Sequence, residues 1–231
     1  MTALHPRGVN HIAISTRDMK GQLEFWCDVL GMPLKGLFWM HNTEGVYHAF
    51  IEMAPNSYIS VVHDPNNSDA VQYGVTHSGN AVGFAAAGVV QHIAVDVDSL
   101  DEVVALRDRI RSRGIQVLGP IDHGWWKSIY FAGPDHTSLE ITTGGDIQPN
   151  EWVDPEVVKE CGISPEELEQ LLDPTPFDAS QGPVPQPAAD PSKPTMHWPG
   201  NEDAIVMQME MSDDDVWAKF SATDPPVPGG K

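Results

Sequence analysis

The sequence predicts an α+β fold in which one strand–helix–strands unit is used twice. The segment Val9-Asn10-His11-Ile12-Ala13-Ile14 returns as Val90-Gln91-His92-Ile93-Ala94-Val95, which sets the two histidines 81 residues apart. Both copies alternate as a half-buried strand does, so every second side chain shares a face and each histidine sits at a matched position. The same order of elements then follows each copy, which makes the similarity a repeat of structure as well as of residues.

After the first strand, Asp18 can cap a helix whose Leu23, Trp26 and Leu30 fall on one face, with Gly31 and Pro33 closing it. Strands are expected at about 34–40, 45–53 and 57–63. After the second, Ser99 precedes a helix with Val103, Leu106 and Ile110 at the same spacing, closed by Gly114, and strands are expected at about 115–120, 126–132 and 137–143. The run Arg107, Arg109, Arg111, Arg113 spreads around this helix and reads as a solvated face. The modules span about 7–63 and 88–144, joined by a long connection, 64–87, that could act as a lid. A unit of that size is marginal as an independent fold, so the two are expected to share one core in a domain spanning 1–145.

The formal charge of −20 is concentrated past Gly144-Gly145, where residues 146–231 carry 18 acidic and 4 basic side chains. Such a balance disfavours nucleic-acid binding, which rests on Lys and Arg neutralising phosphates, and no nucleic-acid partner is expected. Cys27 and Cys161 stand in unrelated contexts and offer neither a disulfide framework nor a metal-binding CxxC. With no apolar run near bilayer length and no basic-then-apolar leader, a soluble cytoplasmic protein is expected. The acidic, proline-rich extension 146–231 is expected to be irregular apart from a short helix near 164–172. That helix is signalled by a capping serine, a first-turn proline and a glutamate in Ser164-Pro165-Glu166-Glu167. From Pro174 to Pro199 the prolines enforce an extended chain, and 204–211 reads as a strand.

The chemistry concentrates in the second module. Glu140, between Leu139 and Ile141 on a strand, faces either solvent or a cavity; two histidines on matched strands favour the cavity. His11, His92 and Glu140 supply two imidazoles and one carboxylate, the donor set that suits Fe(II) or Mn(II) and leaves coordination positions open for chemistry.

These residues, with the helix ending at Leu30-Gly31-Met32 and the stretch from Asp122-His123-Gly124 through Tyr130 and Pro134-Asp135 to Leu139-Glu140, resemble the vicinal oxygen chelate superfamily. It includes glyoxalase I, methylmalonyl-CoA epimerase, fosfomycin resistance enzymes and type I extradiol catechol dioxygenases. The resemblance covers about 7–144 and implies two βαβββ modules forming a U-shaped sheet around a metal. Function must come from the site, because one fold hosts several reactions.

Within the superfamily the resemblance is strongest to the extradiol dioxygenases. Glyoxalase-like members usually take a fourth protein ligand from the last strand of the first module, where this chain has Ser60. Extradiol dioxygenases place a tyrosine ten residues before the metal-binding glutamate, as Tyr130 stands before Glu140, and some carry an Asp-His-Gly like that of His123. The resemblance implies a non-haem Fe(II)-dependent ring-cleavage dioxygenase (Mn(II) being the alternative ion) that uses O2 on a small aromatic diol, in a homo-oligomer. Tyr130 would bond the substrate oxygen and His123 would pass a proton. The histidine that many such enzymes carry as base on the strand closing the first module is missing, leaving His48, His63 and His77 as candidates. Trp39, Trp125 and Trp126 would suit a flat substrate. The alternatives are a metal-dependent glyoxalase or epimerase of the same fold, and a metal-free binding protein of the bleomycin-resistance type.

Overall fold

The computed structural model describes residues 4–227. The chain divides into a larger unit, Arg7–Pro174, and a smaller one made of Met1–Pro6 and Thr175–Lys231.

In the larger unit both expected βαβββ modules are present. The first runs β1 (His11–Thr16), α1 (Met19–Leu23), β2 (Leu34–Trp39), β3 (Tyr47–Ala54) and β4 (Ser57–His63). The second runs β5 (Ile93–Asp96), α2 (Leu100–Ser112), β6 (Val117–Asp122), β7 (Trp126–Ala132) and β8 (Ser138–Gly144). Each module is a four-stranded mixed sheet, ordered β1-β4-β3-β2 and β5-β8-β7-β6, with the first strand parallel to the last and the other pairs antiparallel. The repeat is exact in register. Ser60 lies between Ala13 and Phe50 in the first sheet, as Glu140 lies between Ala94 and Tyr130 in the second.

The helices form where their caps were read. The Asp18 carboxylate accepts from Gly21 N at 2.9 Å, and Ser99 accepts from Glu102 N at 3.3 Å. The first helix then widens into a π-helical turn, Glu24–Val29, in which the neighbouring Phe25 and Trp26 are both buried. Gly31 and Gly114 adopt left-handed backbone, φ 81° in each, and end the two helices.

One hydrophobic core serves both modules. Ala49, Ile51, Ile59 and Val61 from the first sheet join Ile93, Ile129, Leu139 and Ile141 from the second, with Phe25, Trp26, Val103 and Ile110 of the helices. Phe25 meets Phe131 across the modules at 6.4 Å between ring centroids. Polar ties reinforce the junction. The Asp135 carboxylate accepts from Thr16 Oγ1 (2.6 Å) and from Gln22 Nε2 (2.8 Å), while Gln22 Oε1 accepts from the Trp26 indole (2.8 Å).

The arginine run is more than the solvated face expected of it. Arg109 donates to the Val29 and Asp28 carbonyls at 2.7 and 2.8 Å, capping the end of the first helix, and Arg113 pairs with the Asp28 carboxylate at 2.8 Å. A carbonyl-rich helix end attracts guanidinium from a neighbouring element, which sequence periodicity within α2 does not register.

Residues after Gly145 hold more helix than expected. Besides α5 (Pro165–Leu172), which has the full Ser164–Glu167 capping box, the larger unit contains α3 (Pro149–Trp152) and α4 (Pro155–Glu160), each opened by a proline. In the smaller unit the stretch expected as a strand is instead α6 (Glu202–Met209), followed by α7 (Asp213–Phe220) capped by Ser212. A lone strand needs a partner edge for its backbone groups, whereas a helix satisfies them internally, and glutamate and aspartate in the first turn favour the helix. The proline-rich stretch between α5 and α6 carries no regular element beyond a 3-10 turn, Ala179–Gln181. Among the described residues no helix is long and apolar enough to cross a membrane.

Candidate metal centre

Alternation along the strands sends the aliphatic residues of both sheets into the shared core, so His11, Ser60, His92 and Glu140 stand on the opposite faces. The face of the second sheet carries a linked set. His92 Nε2 stands 3.1 Å from Glu140 Oε2, and Glu140, only 4% exposed, accepts from the Tyr130 hydroxyl through Oε1 at 3.2 Å. Tyr130 also meets His123 Nε2 at 2.8 Å, as the acceptor when that nitrogen carries its proton. Burial, with the adjacent Glu140 charge adding to it, pushes the Tyr130 phenol up and keeps it protonated; a hydrogen bond with Ser128 works against them. Asp122, two residues from the turn glycine of Asp-His-Gly, accepts from Gly124 N at 2.9 Å, which sets the loop that presents His123.

Each repeat histidine is oriented by the amide side chain before it. His11 Nδ1 bonds Asn10 Oδ1 at 2.9 Å, and His92 Nδ1 bonds Gln91 Oε1. This leaves each Nε2 free of the anchoring bond, the outer-sphere arrangement that fixes a ligating imidazole. The sequence carried the signal, an amide preceding each histidine, but its meaning emerges only from the geometry.

His92 and Glu140 fit a divalent ion. Two adjacent donors of an octahedral ion bound at about 2.1 Å lie about 3.0 Å apart, close to the separation found here. His11 does not join them, for among the described residues no three His, Cys, Asp or Glu side chains gather closely enough to hold one ion. The two strands belong to different sheets, whose outer faces point away from the core they share.

The face around His11 is aromatic. Phe50, which occupies the position of Tyr130, lies 5.8 Å from the His11 ring and stacks with Phe38 at 6.0 Å, and Tyr58 meets Phe50 at 6.1 Å. Ser60, at the position of Glu140, is buried. His48 shares this face, 4.3 Å from Phe38 and 4.9 Å from Phe50. Burial first, then the nearby His41 and His11, hold its imidazole below the usual value, and its buried Nε2 has no hydrogen-bond partner among the described residues. Of the three candidate bases His48 lies on the aromatic face near His11. His63 stacks on Tyr47 at 4.6 Å, and His77 sits in the connection after β4, bonded to Thr76.

The tryptophans make ring contacts of their own. Trp39 packs on Tyr47, and Trp125 lies against both Trp126 and Trp152 of α3. These contacts make Trp125 and Trp126 a packing cluster that ties α3 to the second module. The connection expected as a lid is pinned: Asn67 donates to Thr16 O and Val62 O, and buried Ser78 donates to Gln91 O.

A family model described as Glyoxalase/Bleomycin resistance protein/Dioxygenase superfamily matches residues 8–141, more than half of the chain. A protein of Synechocystis sp. named probable lactoylglutathione lyase is 27% identical over 135 residues, covering 57% of this chain and 91% of that protein. Among solved structures, a glyoxylase/bleomycin resistance protein/dioxygenase domain from Frankia sp. EAN1pec is similar with a TM-score of 0.50 and 14% identity, covering 61% of this chain and 100% of that one. The fosfomycin resistance protein FosX of Listeria monocytogenes, solved with Mn(II) and sulfate, gives a TM-score of 0.42 at 18% identity, covering 61% of this chain and 95% of that one. With a family match spanning both modules and both repeat histidines, the chain belongs to the glyoxalase/bleomycin resistance protein/dioxygenase superfamily.

Proposed function

We propose that this protein is a non-haem Fe(II)-dependent extradiol ring-cleavage dioxygenase acting on a catechol-type aromatic. His92 and Glu140 of one chain and His11 of a second copy hold the metal, with Mn(II) as the alternative ion. The observation that carries this reading is the complementarity of the two outer faces. One offers an oriented imidazole, a buried carboxylate and a phenol; the other offers an equally oriented imidazole with an aromatic wall and no carboxylate. Leu118, beside Tyr130 in the ladder, is 65% exposed and gives the metal-binding face an apolar rim that a second copy would cover.

The bound ion would supply positions at which the diol and O2 are brought together. The chain's own residues do the rest. Phe38, Phe50 and Tyr58 hold the ring edge-on and face-on, which excludes water from it. Tyr130, kept protonated, donates to a substrate oxygen, and His123 supplies or removes a proton through its contact with that phenol. His48, kept neutral by burial, accepts the proton that a diol gives up on binding. Ser60, in place of a fourth carboxylate, leaves coordination free for substrate.

A second reading, a glyoxalase-type isomerase using Ni, Co or Zn without oxygen, is favoured by the Synechocystis relative. Ser60 at the position of the extra ligand speaks against it.

Complementation tests the shared site. His11→Ala and Glu140→Ala should each lose the roughly one iron per chain and all activity toward a catechol panel. An equal mixture, refolded together, should regain about one quarter of wild-type activity, because half of the dimers are mixed and each holds one intact site. No recovery from the mixture, with both variants folded, would refute a site shared between copies. Unchanged iron content in His11→Ala, His92→Ala and Glu140→Ala would refute the ligand set itself.

A further inference from the structure

The connection between β4 and β5 brings His77 up to His136 of the β7–β8 turn, outside the site described above. Its Tyr73 bridges to His77, and Gly74 N donates to His77 O at 2.8 Å, closing a compact turn. This turn faces the 3-10 turn Pro134–His136 that joins β7 to β8. Together they wall a cavity of about 450 Å³ lined by Ser15, Arg17, Asp69, His77, Asp135 and His136, among others.

Across it the rings of His77 and His136 stand 6.3 Å apart at 72°. Each is held by Nδ1: His77 bonds Thr76 Oγ1 at 2.9 Å, and His136 bonds the Tyr73 hydroxyl at 2.8 Å. Neither Nε2 has a hydrogen-bond partner among the described residues. Two imidazoles that line one cavity, each anchored through Nδ1, form a donor pair of the kind that outer-sphere bonds prepare for a metal.

The backbone of the β7–β8 turn fixes where His136 stands. Asp135 and His136 are consecutive non-glycine residues in left-handed conformation, at φ 50° and 59°. Asp135 is accounted for by the two hydrogen bonds its carboxylate accepts from Thr16 and Gln22. The pair occupies the centre of a turn closed by Thr137 N donating to Pro134 O at 3.2 Å, which requires both positive angles and holds the His136 imidazole next to Tyr73 and His77.

We propose that His77 and His136 bind a transition-metal ion of the Zn(II) class, separate from the His11/His92/Glu140 set. The ion clasps the β4–β5 connection to the β7–β8 turn. Imidazole donors without thiolate select Zn(II), Co(II), Ni(II) or Cu(II) over Mg(II) and Ca(II). Asp69, on the same cavity wall, brings counter-charge, and water fills the remaining positions. A neighbouring cavity of about 360 Å³ is bordered by His77, His136 and His92, so the clasp fixes the wall beside one of the proposed iron ligands.

The test uses the full-length, untagged chain carrying His92→Ala and Glu140→Ala, freed of metal by chelation, with Co(II) as a visible probe and Zn(II) as competitor. The expected result is one equivalent of Co(II) per chain, displaced by Zn(II), with metal-dependent slowing of amide exchange across residues 72–78 and 134–137. His77→Ala or His136→Ala should abolish both signals. Tyr73→Phe, which keeps both histidines and leaves the core untouched, should weaken binding by about tenfold to a hundredfold, as loss of an orienting partner does. Absence of Co(II) binding in the starting variant would overturn the clasp, as would binding and exchange unchanged in both histidine variants. Neither result touches the iron site, which that background already lacks.

Discussion

Replacing Asp135 should show how strongly one carboxylate ties the two modules together. Its Oδ2 alone receives both Thr16 Oγ1, at 2.6 Å, and Gln22 Nε2, at 2.8 Å. Thr16 and Gln22 are 2% and 1% exposed, and Gln22 in turn holds the indole of Trp26, itself 1% exposed. Asp135→Ala strands two buried donors, each worth about 1–3 kcal/mol, and adds the strain of alanine in left-handed backbone, about 1 kcal/mol. Water can reach Asp135 from its exposed side and recover part of this, so we expect a loss of about 3 kcal/mol. Asp135→Asn can place its carbonyl oxygen where Oδ2 was and tolerates the same φ, so it should lose about 1 kcal/mol, the charge assistance only. Urea unfolding followed by tryptophan fluorescence and by far-ultraviolet circular dichroism gives both values, provided the slopes match wild type. An alanine variant within about 0.5 kcal/mol of wild type, or an asparagine variant as damaged as alanine, would refute this account of the junction.

Other predictions follow from the site. Tyr130→Phe should keep its iron while kcat falls by about tenfold to a thousandfold, as when one charge-directed donor is removed; near-normal kcat in the iron-replete variant would remove Tyr130 from the reaction. His48 is held below its usual value, so the unfolded chain takes up its proton first as pH falls. Its stability contribution is therefore full above about pH 6.5 and is lost as pH drops through the lower folded value. Thermal melts from pH 8 to pH 5 should fall less steeply in His48→Phe than in wild type, and parallel profiles would contradict the assignment. Trp26→Ala should destabilise by about 3–5 kcal/mol, since it empties a core position and strands Gln22.

Much of this architecture is legible in the sequence because it is local or repeated. The His11 and His92 strands announce both modules, Asp18 and Ser99 announce the helices, and the ten-residue interval from Tyr130 to Glu140 becomes a direct ladder pair. Period-2 alternation also assigns both histidines to the faces opposite the core. It does not say which two faces meet, and so the separation of His11 from His92 and Glu140 within one chain was not legible. The aromatic wall of Phe38, Phe50 and Tyr58 escaped for a related reason. Its members come from three strands, and only the ladder register brings them together. The helices α3 and α4 carry the same proline-first signal as α5 and were readable, but the density of proline and acid around them masks short helices. The reach of Arg109 to the Val29 and Asp28 carbonyls depends on docking between modules and leaves no trace in either segment.

Oxygen uptake tests the proposed reaction most directly. The chain, reconstituted anaerobically with Fe(II) and given a catechol under limiting O2, should consume one O2 for each ring opened as yellow product accumulates, and should stop when O2 is exhausted. Turnover that continues undiminished under strict anaerobiosis would contradict the dioxygenase reading and leave the oxygen-independent chemistry of the same fold in its place.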